Sequence, residues 1–250
     1  MSATTAVVPV PVPVLALEGV SASYGPYRAL FDVSFAVPPA AVVAVVGANG
    51  AGKSTVARVV SGLVPASAGR VVLKGCDVTR RRAFEIARMG LAHVTEGRSV
   101  FGSLTVEENL VLSFRRALGR GGLAGALARA YEVFPRLGQR RGQLAGTLSG
   151  GEQRMLALAR VLVLHQDVLV VDELSLGLAP VVVDEVYEAL GTVRSEGTAL
   201  VLIEQHVNRA FTIADSVVVL HKGRVAYDGD VAGAEERLDE LVLGGSTARP

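Results

Sequence analysis

Ala41-Val42-Val43-Ala44-Val45-Val46-Gly47-Ala48-Asn49-Gly50-Ala51-Gly52-Lys53-Ser54 is the stretch on which the fold turns. Its first six residues are apolar with no polar alternation, the pattern of a strand buried on both faces. The next eight fit the phosphate-loop pattern G-x-x-x-x-G-K-[ST] in full. A helix is expected from Lys53 to Ser61, stopped by Gly62. Glycines in such a loop let backbone N–H groups turn inward around phosphate oxygens, and the helix N-terminus adds partial positive charge. Lys53 can reach the β- and γ-phosphates of a nucleotide, and the Ser54 hydroxyl can ligate Mg2+. Lys53, Lys74 and Lys222 are the only lysines in the chain, so composition does not favour a lysine at this position by chance. The alternative is a glycine-rich turn without a ligand.

Further strands lie on both sides of this unit. Val14–Val20 and Val33–Val37 read as strands around a turn-rich segment, Ser23–Arg28. Val71–Leu73 starts another, followed by the turn signal Lys74-Gly75. Val168–Val171 and Thr198–Ile203 repeat the buried pattern, and Ser216–Leu220 with Arg224–Tyr227 reads as a hairpin. Strands alternating with helices indicate an α/β fold with a largely parallel sheet. Thr105 to about Leu148 is helical in pattern and reads as an inserted subdomain. Thr105-Val106-Glu107-Glu108 has capping-box form, so a helix is expected to start there.

Composition supports a buried sheet and excludes several classes. Half of the 250 residues are hydrophobic and 20% are charged, with a mean hydropathy of +0.42. A disordered chain needs the reverse. The formal net charge of +1 gives no broad basic field for nucleic acid. No apolar run approaches the roughly 20 residues of a membrane helix. Residues 1–13 lack the positive n-region of a signal peptide and read as a flexible, partly polyproline-like tail. Cys76, the single cysteine, is expected to be a small buried hydrophobe, compatible with a reducing cytoplasm. Arg80–Arg82 is expected to be solvated.

A second chemical signal sits at the end of the Val168–Val171 strand, which runs into Asp172-Glu173. Carboxylates there are costly to desolvate without partners. Beside a phosphate loop, the first acid would hold Mg2+ and the second would act as general base toward an attacking water. A solvated pair capping a strand end is the alternative.

Leu148-Ser149-Gly150-Gly151-Glu152-Gln153 precedes an apolar-rich helix. Ser149 and Glu152 have capping-box spacing, and the glycines permit a second anion site at a helix N-terminus. LSGGEQ resembles the signature motif of ATP-binding cassette (ABC) ATPases, and the order phosphate loop, signature, acidic pair matches that family. The resemblance covers nearly all of 14–245. It implies a P-loop NTPase with a RecA-like core, an antiparallel β subdomain and a helical subdomain inserted at about 97–161, with ATP and Mg2+ as cofactors. It also implies head-to-tail pairing with a second ABC ATPase, so that Ser149, Gly150, Gly151 and Glu152 would meet the partner's ATP. Gly47, Asn49, Gly50, Ala51, Gly52, Lys53, Ser54 and Thr55 would bind the chain's own nucleotide. Tyr24 matches the aromatic that stacks on adenine, with a core tyrosine as the alternative.

Three positions depart from the family pattern. Glu96 takes the place of the usual Gln that senses Mg2+; it would still be a metal ligand but cannot donate through an amide. Leu176-Gly177-Leu178-Ala179 lacks the usual aspartate. The switch position falls on Gln205, with His206 as the rival one residue on. Together with Phe134-Pro135-Arg136-Leu137, Ser175-Leu176-Gly177-Leu178-Ala179-Pro180 and Glu204-Gln205-His206, these marks resemble branched-chain amino-acid importer ATPases of the LivF type. Leu174 departs from the usual Pro of the family. The resemblance implies a peripheral subunit on the cytoplasmic face of a bacterial inner membrane, working with transmembrane permease subunits and, indirectly, an extracytoplasmic solute-binding protein. Phe101 and Leu104–Leu112 would then help form the groove for a permease helix, or else serve the core. Importers of urea or short amides are the nearest alternative, and non-transport ABC ATPases a more distant one.

Overall fold

The computed structural model describes residues 12–95, 100–173, 175, 178–205 and 207–237. In chain order its elements are β1 (Leu15–Tyr24), β2 (Tyr27–Val37), β3 (Val42–Val46), α1 (Lys53–Val60), β4 (Ala66–Leu73), β5 (Cys76–Asp77), α2 (Ala83–Arg88), β6 (Leu91–Val94), α3 (Val106–Leu118), α4 (Leu123–Val133), α5 (Pro135–Gln139), α6 (Gly150–Leu162), β7 (Val168–Asp172), α7 (Pro180–Ser195), β8 (Ala199–Glu204), α8 (Val207–Phe211), β9 (Ser216–His221), β10 (Arg224–Gly229) and α9 (Val231–Glu236).

Every residue of β3 is buried, and successive side chains enter different cores. Val43 and Val45 pack with α1 and the inner face of β1, β2 and β4. Val42 packs with α6 and α7 residues, while Ala44 and Val46 meet α8 and α9. With both faces covered, a strand needs no polar alternation. Each buried valine contributes about 1.5–3 kcal/mol relative to exposure.

The main sheet runs β10-β9-β3-β8-β7-β6. β9, β3, β8, β7 and β6 are mutually parallel, and β10 closes the edge as the antiparallel arm of the expected hairpin. The parallel strands therefore end on one edge of the sheet. Ligands in open parallel sheets collect there, where the strand order reverses. A second, antiparallel sheet runs β2-β1-β4-β5. Its first hairpin is tighter than the sequence indicates: β1 continues to Tyr24 and β2 begins at Tyr27, leaving only Gly25-Pro26 as the turn.

Helices α3 to α5 pack against α6 around Leu110, Phe114, Phe134 and Leu137. The expected capping box at Thr105 forms: Glu108 N–H donates to Thr105 Oγ1 at 3.1 Å, and Thr105 N–H donates to the Glu108 carboxylate at 2.8 Å. The burial expected of Cys76 does not hold. Cys76 is exposed, because β5 is a two-residue edge strand that pairs with β4 alone and covers no core. Arg80, Arg81 and Arg82 are exposed as expected.

Candidate nucleotide site

The loop between β3 and α1 is held from three sides. Gly47 has φ 151°, and a Cβ there would come within 2.3 Å of the Leu220 carbonyl of β9, so only glycine lets the loop leave the sheet at this point. The β9–β10 turn braces the other end: Gly223 N–H donates to the Ala51 carbonyl at 2.9 Å, while Phe31 N–H donates to the Gly223 carbonyl at 2.8 Å. Inside the loop, the Lys53 ammonium donates to the carbonyls of Gly47 (2.9 Å) and Ala48 (3.2 Å). Lys53 is only 5% exposed. Burial pushes its pKa below the usual lysine range, and the carboxylates of Glu173, Asp172 and Glu204 pull the other way. Ala51 and Thr55 are buried beside it, whereas Asn49 and Gly50 stand exposed at the loop tip.

The acidic pair reaches the same place from β7. Asp172 is 2% exposed, and its Oδ1 accepts from the Ser54 hydroxyl at 3.2 Å. Glu173 follows at the strand end with φ 49°, a left-handed conformation that costs a non-glycine residue roughly 1–3 kcal/mol and persists only where neighbours enforce it. Its N–H donates to the Ile203 carbonyl of β8 at 2.8 Å. β8 lies between β3 and β7, with Val46 opposite Glu204 and Asp172 opposite Ile203. The loop and the acidic pair thus face each other across the end of one intervening strand.

Gln205, the first residue after β8, is exposed at this same edge. Tyr24 ends β1 at 40% exposure, and Arg58 of α1 donates to its hydroxyl at 3.3 Å. That excludes a core tyrosine and leaves a ring face beside the helix that starts at the phosphate loop. Glu96, His206, Leu174, Leu176 and Gly177 lie outside the described residues.

The signature segment is built separately. Ser149 caps α6: its hydroxyl accepts from Glu152 N–H at 3.3 Å and donates to the Glu152 carboxylate at 2.8 Å. The other carboxylate oxygen of Glu152 pairs with Arg140 at 2.7 Å. Gly150 is exposed and Gly151 half-buried. Among the described residues, no hydrogen bond or ion pair joins Ser149–Glu152 to the phosphate loop.

The family model described as ABC transporter matches residues 30–175. The chain belongs to the ABC transporter family. The high-affinity branched-chain amino acid transport ATP-binding protein BraG of Pseudomonas aeruginosa is 40% identical, covering 92% of this chain and 100% of that protein. The probable branched-chain amino acid transport ATP-binding protein LivF of Archaeoglobus fulgidus is 34% identical, covering 90% and 96%. Among solved structures, an ATP-binding subunit of an ABC transporter superposes with a TM-score of 0.81 at 26% identity, covering 91% of this chain and 94% of that one. A nucleotide-free ABC cassette superposes with a TM-score of 0.78 at 23% identity, covering 94% and 96%, and supports the fold alone.

The chain is thus the ATP-binding, ATP-hydrolysing part of an ABC transporter, with the α/β P-loop fold expected from its sequence. Two buried charged residues beside this site were not singled out as candidate site residues from the sequence. Glu204, 2% exposed at the end of β8, accepts from Ser175 N–H (3.2 Å), the Ser175 hydroxyl (2.8 Å) and the Tyr187 hydroxyl (3.4 Å). The burial of Tyr187 and the charge of Glu204 push the phenol upward. The signal was present, since Glu204 ends an apolar strand just as Asp172 does. Arg154, buried in the second turn of α6, donates to backbone carbonyls at the ends of β6 and β7. Its sequence mark is slight, a charged residue just after the signature segment in a helix that also carries Glu152 and Arg160.

Proposed function

We propose that this chain is the ATPase subunit that powers import of branched-chain amino acids, and that Lys53, Ser54, Asp172 and Glu173 carry the hydrolysis. The observation that carries the reading is the convergence of phosphate loop and acidic pair on one sheet edge, bridged by Ser54 and Asp172. The two relatives named above supply the substrate class.

Lys53 and the loop N–H groups hold the β- and γ-phosphates, and Tyr24 stacks on the base. The donors available for a cation are a hydroxyl and one or two carboxylates, with no group of three or more His, Cys, Asp or Glu among the described residues. That set fits Mg2+, a hard ion usually held by one or two carboxylates plus the substrate's phosphates. Ser54 and Asp172 would hold it, with Glu96 as a further ligand, and the ion would neutralise charge on the phosphate oxygens. Glu173 takes the proton of the water that attacks the γ-phosphorus; the bond to the bridging oxygen breaks and ADP leaves. Gln205, or His206 in its place, bonds the γ-phosphate.

Ser149 to Glu152 serve the nucleotide of a second cassette. Support comes from the lack, among the described residues, of any hydrogen bond or ion pair between this segment and the chain's own loop, and from a cassette of the same fold solved as a dimer with ADP and phosphate, with a TM-score of 0.77. No helix among the described residues is long and apolar enough to cross a membrane. The subunit sits on the cytoplasmic face of a bacterial inner membrane through permease subunits, supplied with solute by an extracytoplasmic binding protein.

The test is uptake of labelled leucine in cells lacking the gene, complemented with wild type, Lys53→Ala or Glu173→Gln. Uptake restored by wild type alone supports the proposal. Leucine uptake that survives deletion while urea uptake is lost would overturn the substrate class. ATP hydrolysis by the reconstituted complex tests the residues, with Glu173→Gln retaining ATP but not turning it over.

A further inference from the structure

Glu173 is the one residue of the reacting set with a left-handed backbone, so the direction of its side chain depends on what holds the two peptide groups flanking its Cα. A single nitrogen holds both. Arg154 Nη2 donates to the Asp172 carbonyl at 2.6 Å and to the Glu173 carbonyl at 3.0 Å. These two carbonyls belong to the peptide planes before and after the Glu173 Cα, so the same contact restrains its φ and its ψ. Arg154 Nη1 donates to the Thr95 carbonyl at 2.8 Å, beyond the end of β6. The guanidinium therefore spans the C-terminal ends of two neighbouring strands from a third element. Arg154 is 7% exposed. A buried guanidinium that bonds three main-chain carbonyls is a positional device, because the planar fork fixes directions that a lysine ammonium does not.

We infer that Arg154 is a positioning residue for hydrolysis: it clamps both peptide groups around Glu173 and so sets the aim of the carboxylate. The clamp issues from α6, the helix whose first turn carries Ser149 to Glu152, so the segment assigned to the second nucleotide and the base assigned to the first are joined by one side chain. This rests on the reading of Glu173 as general base. A displacement near 1 Å at a reacting group costs on the order of 10²-fold in rate.

The experiment compares kcat, and Kd for a fluorescent ATP analogue, in the complex used for the hydrolysis assay. Arg154→Met keeps the bulk and removes the donors; kcat is expected to fall by roughly 10²-fold with Kd changed by less than about twofold. Arg154→Gln, which retains N–H donors on a shorter stem, is expected to recover an intermediate rate. An unchanged kcat in Arg154→Met, a loss of affinity that accounts for the loss of rate, or an Arg154→Gln no better than Arg154→Met overturns the proposal. If Arg154→Met does not fold, Arg154→Lys is read in its place: a smaller drop in kcat at constant Kd supports the clamp, and an unchanged kcat overturns it. Glu173→Gln is run alongside. Wild-type hydrolysis in that variant sinks the general-base reading, whereas an inactive Glu173→Gln beside a fully active Arg154→Met sinks only the clamp.

Discussion

The Ser54 hydroxyl donates to Asp172 Oδ1 at 3.2 Å, joining the first turn of α1 to the last residue of β7. The two residues are far apart in sequence and meet because β3 and β7 flank β8 in register. On the proposed reading these two oxygens would hold the cation together, so either change should weaken the metal before it weakens the nucleotide. Ser54→Ala and Asp172→Asn are each expected to raise the Mg2+ concentration for half-maximal hydrolysis by roughly 10–100-fold. Titrating Mg2+ at saturating ATP checks this, and a half-maximal concentration equal to wild type in both variants would remove the site.

His93 gives the fold an acid sensitivity. Its Nδ1 lies 3.0 Å from the Ser61 hydroxyl, and its Nε2 is buried with no hydrogen-bond partner among the described residues. Burial, helped by the charge of Arg58, pushes its pKa from 6.5 down to about 4. Between these values the unfolded chain binds a proton that the folded chain refuses, so stability rises with pH across the window and is lost on acidification. The loss approaches about 3 kcal/mol by pH 4. Urea unfolding between pH 4 and 6.5 should show a shallower slope in His93→Gln than in wild type; equal slopes would assign the sensitivity elsewhere.

Tyr24 is expected to work through its ring and not its hydroxyl. Its contact with Arg58 is long and exposed, so Tyr24→Phe should leave the KM for ATP within about twofold, since such surface bonds contribute little. Tyr24→Ala removes the stacking face and should raise KM by roughly tenfold, from a stacking contribution of about 1–3 kcal/mol. An unchanged KM in Tyr24→Ala places the base elsewhere.

Cys76 should react with a thiol reagent in the native protein, without denaturant, because it is exposed on an edge strand. Cys76→Ser should shift stability by less than about 0.5 kcal/mol, as expected for an exposed site. Labelling that requires unfolding would contradict the exposure.

The Cys76 result shows where sequence reading stops. Its hydrophobicity suggested burial, but whether a two-residue strand covers a core depends on its neighbours in space. Thr105 and Ser149 behaved differently. Each caps its helix with a Glu three residues on, a contact closed within one turn and therefore written in local spacing.

The same distinction divides the functional site. By itself, the sequence determined the phosphate loop, the acidic pair, the signature segment and the buried strands that carry them, because each is a local pattern in which residue type and spacing follow from phosphate chemistry, capping or two-sided burial. Only the tertiary structure decided that Ser54 meets Asp172, that Gly223 braces Ala51, that Glu204 holds Ser175 and that Arg154 grips both carbonyls beside Glu173. Those contacts depend on strand order and on helices folded back across the sheet, and one-dimensional spacing carries no trace of which strand ends become neighbours.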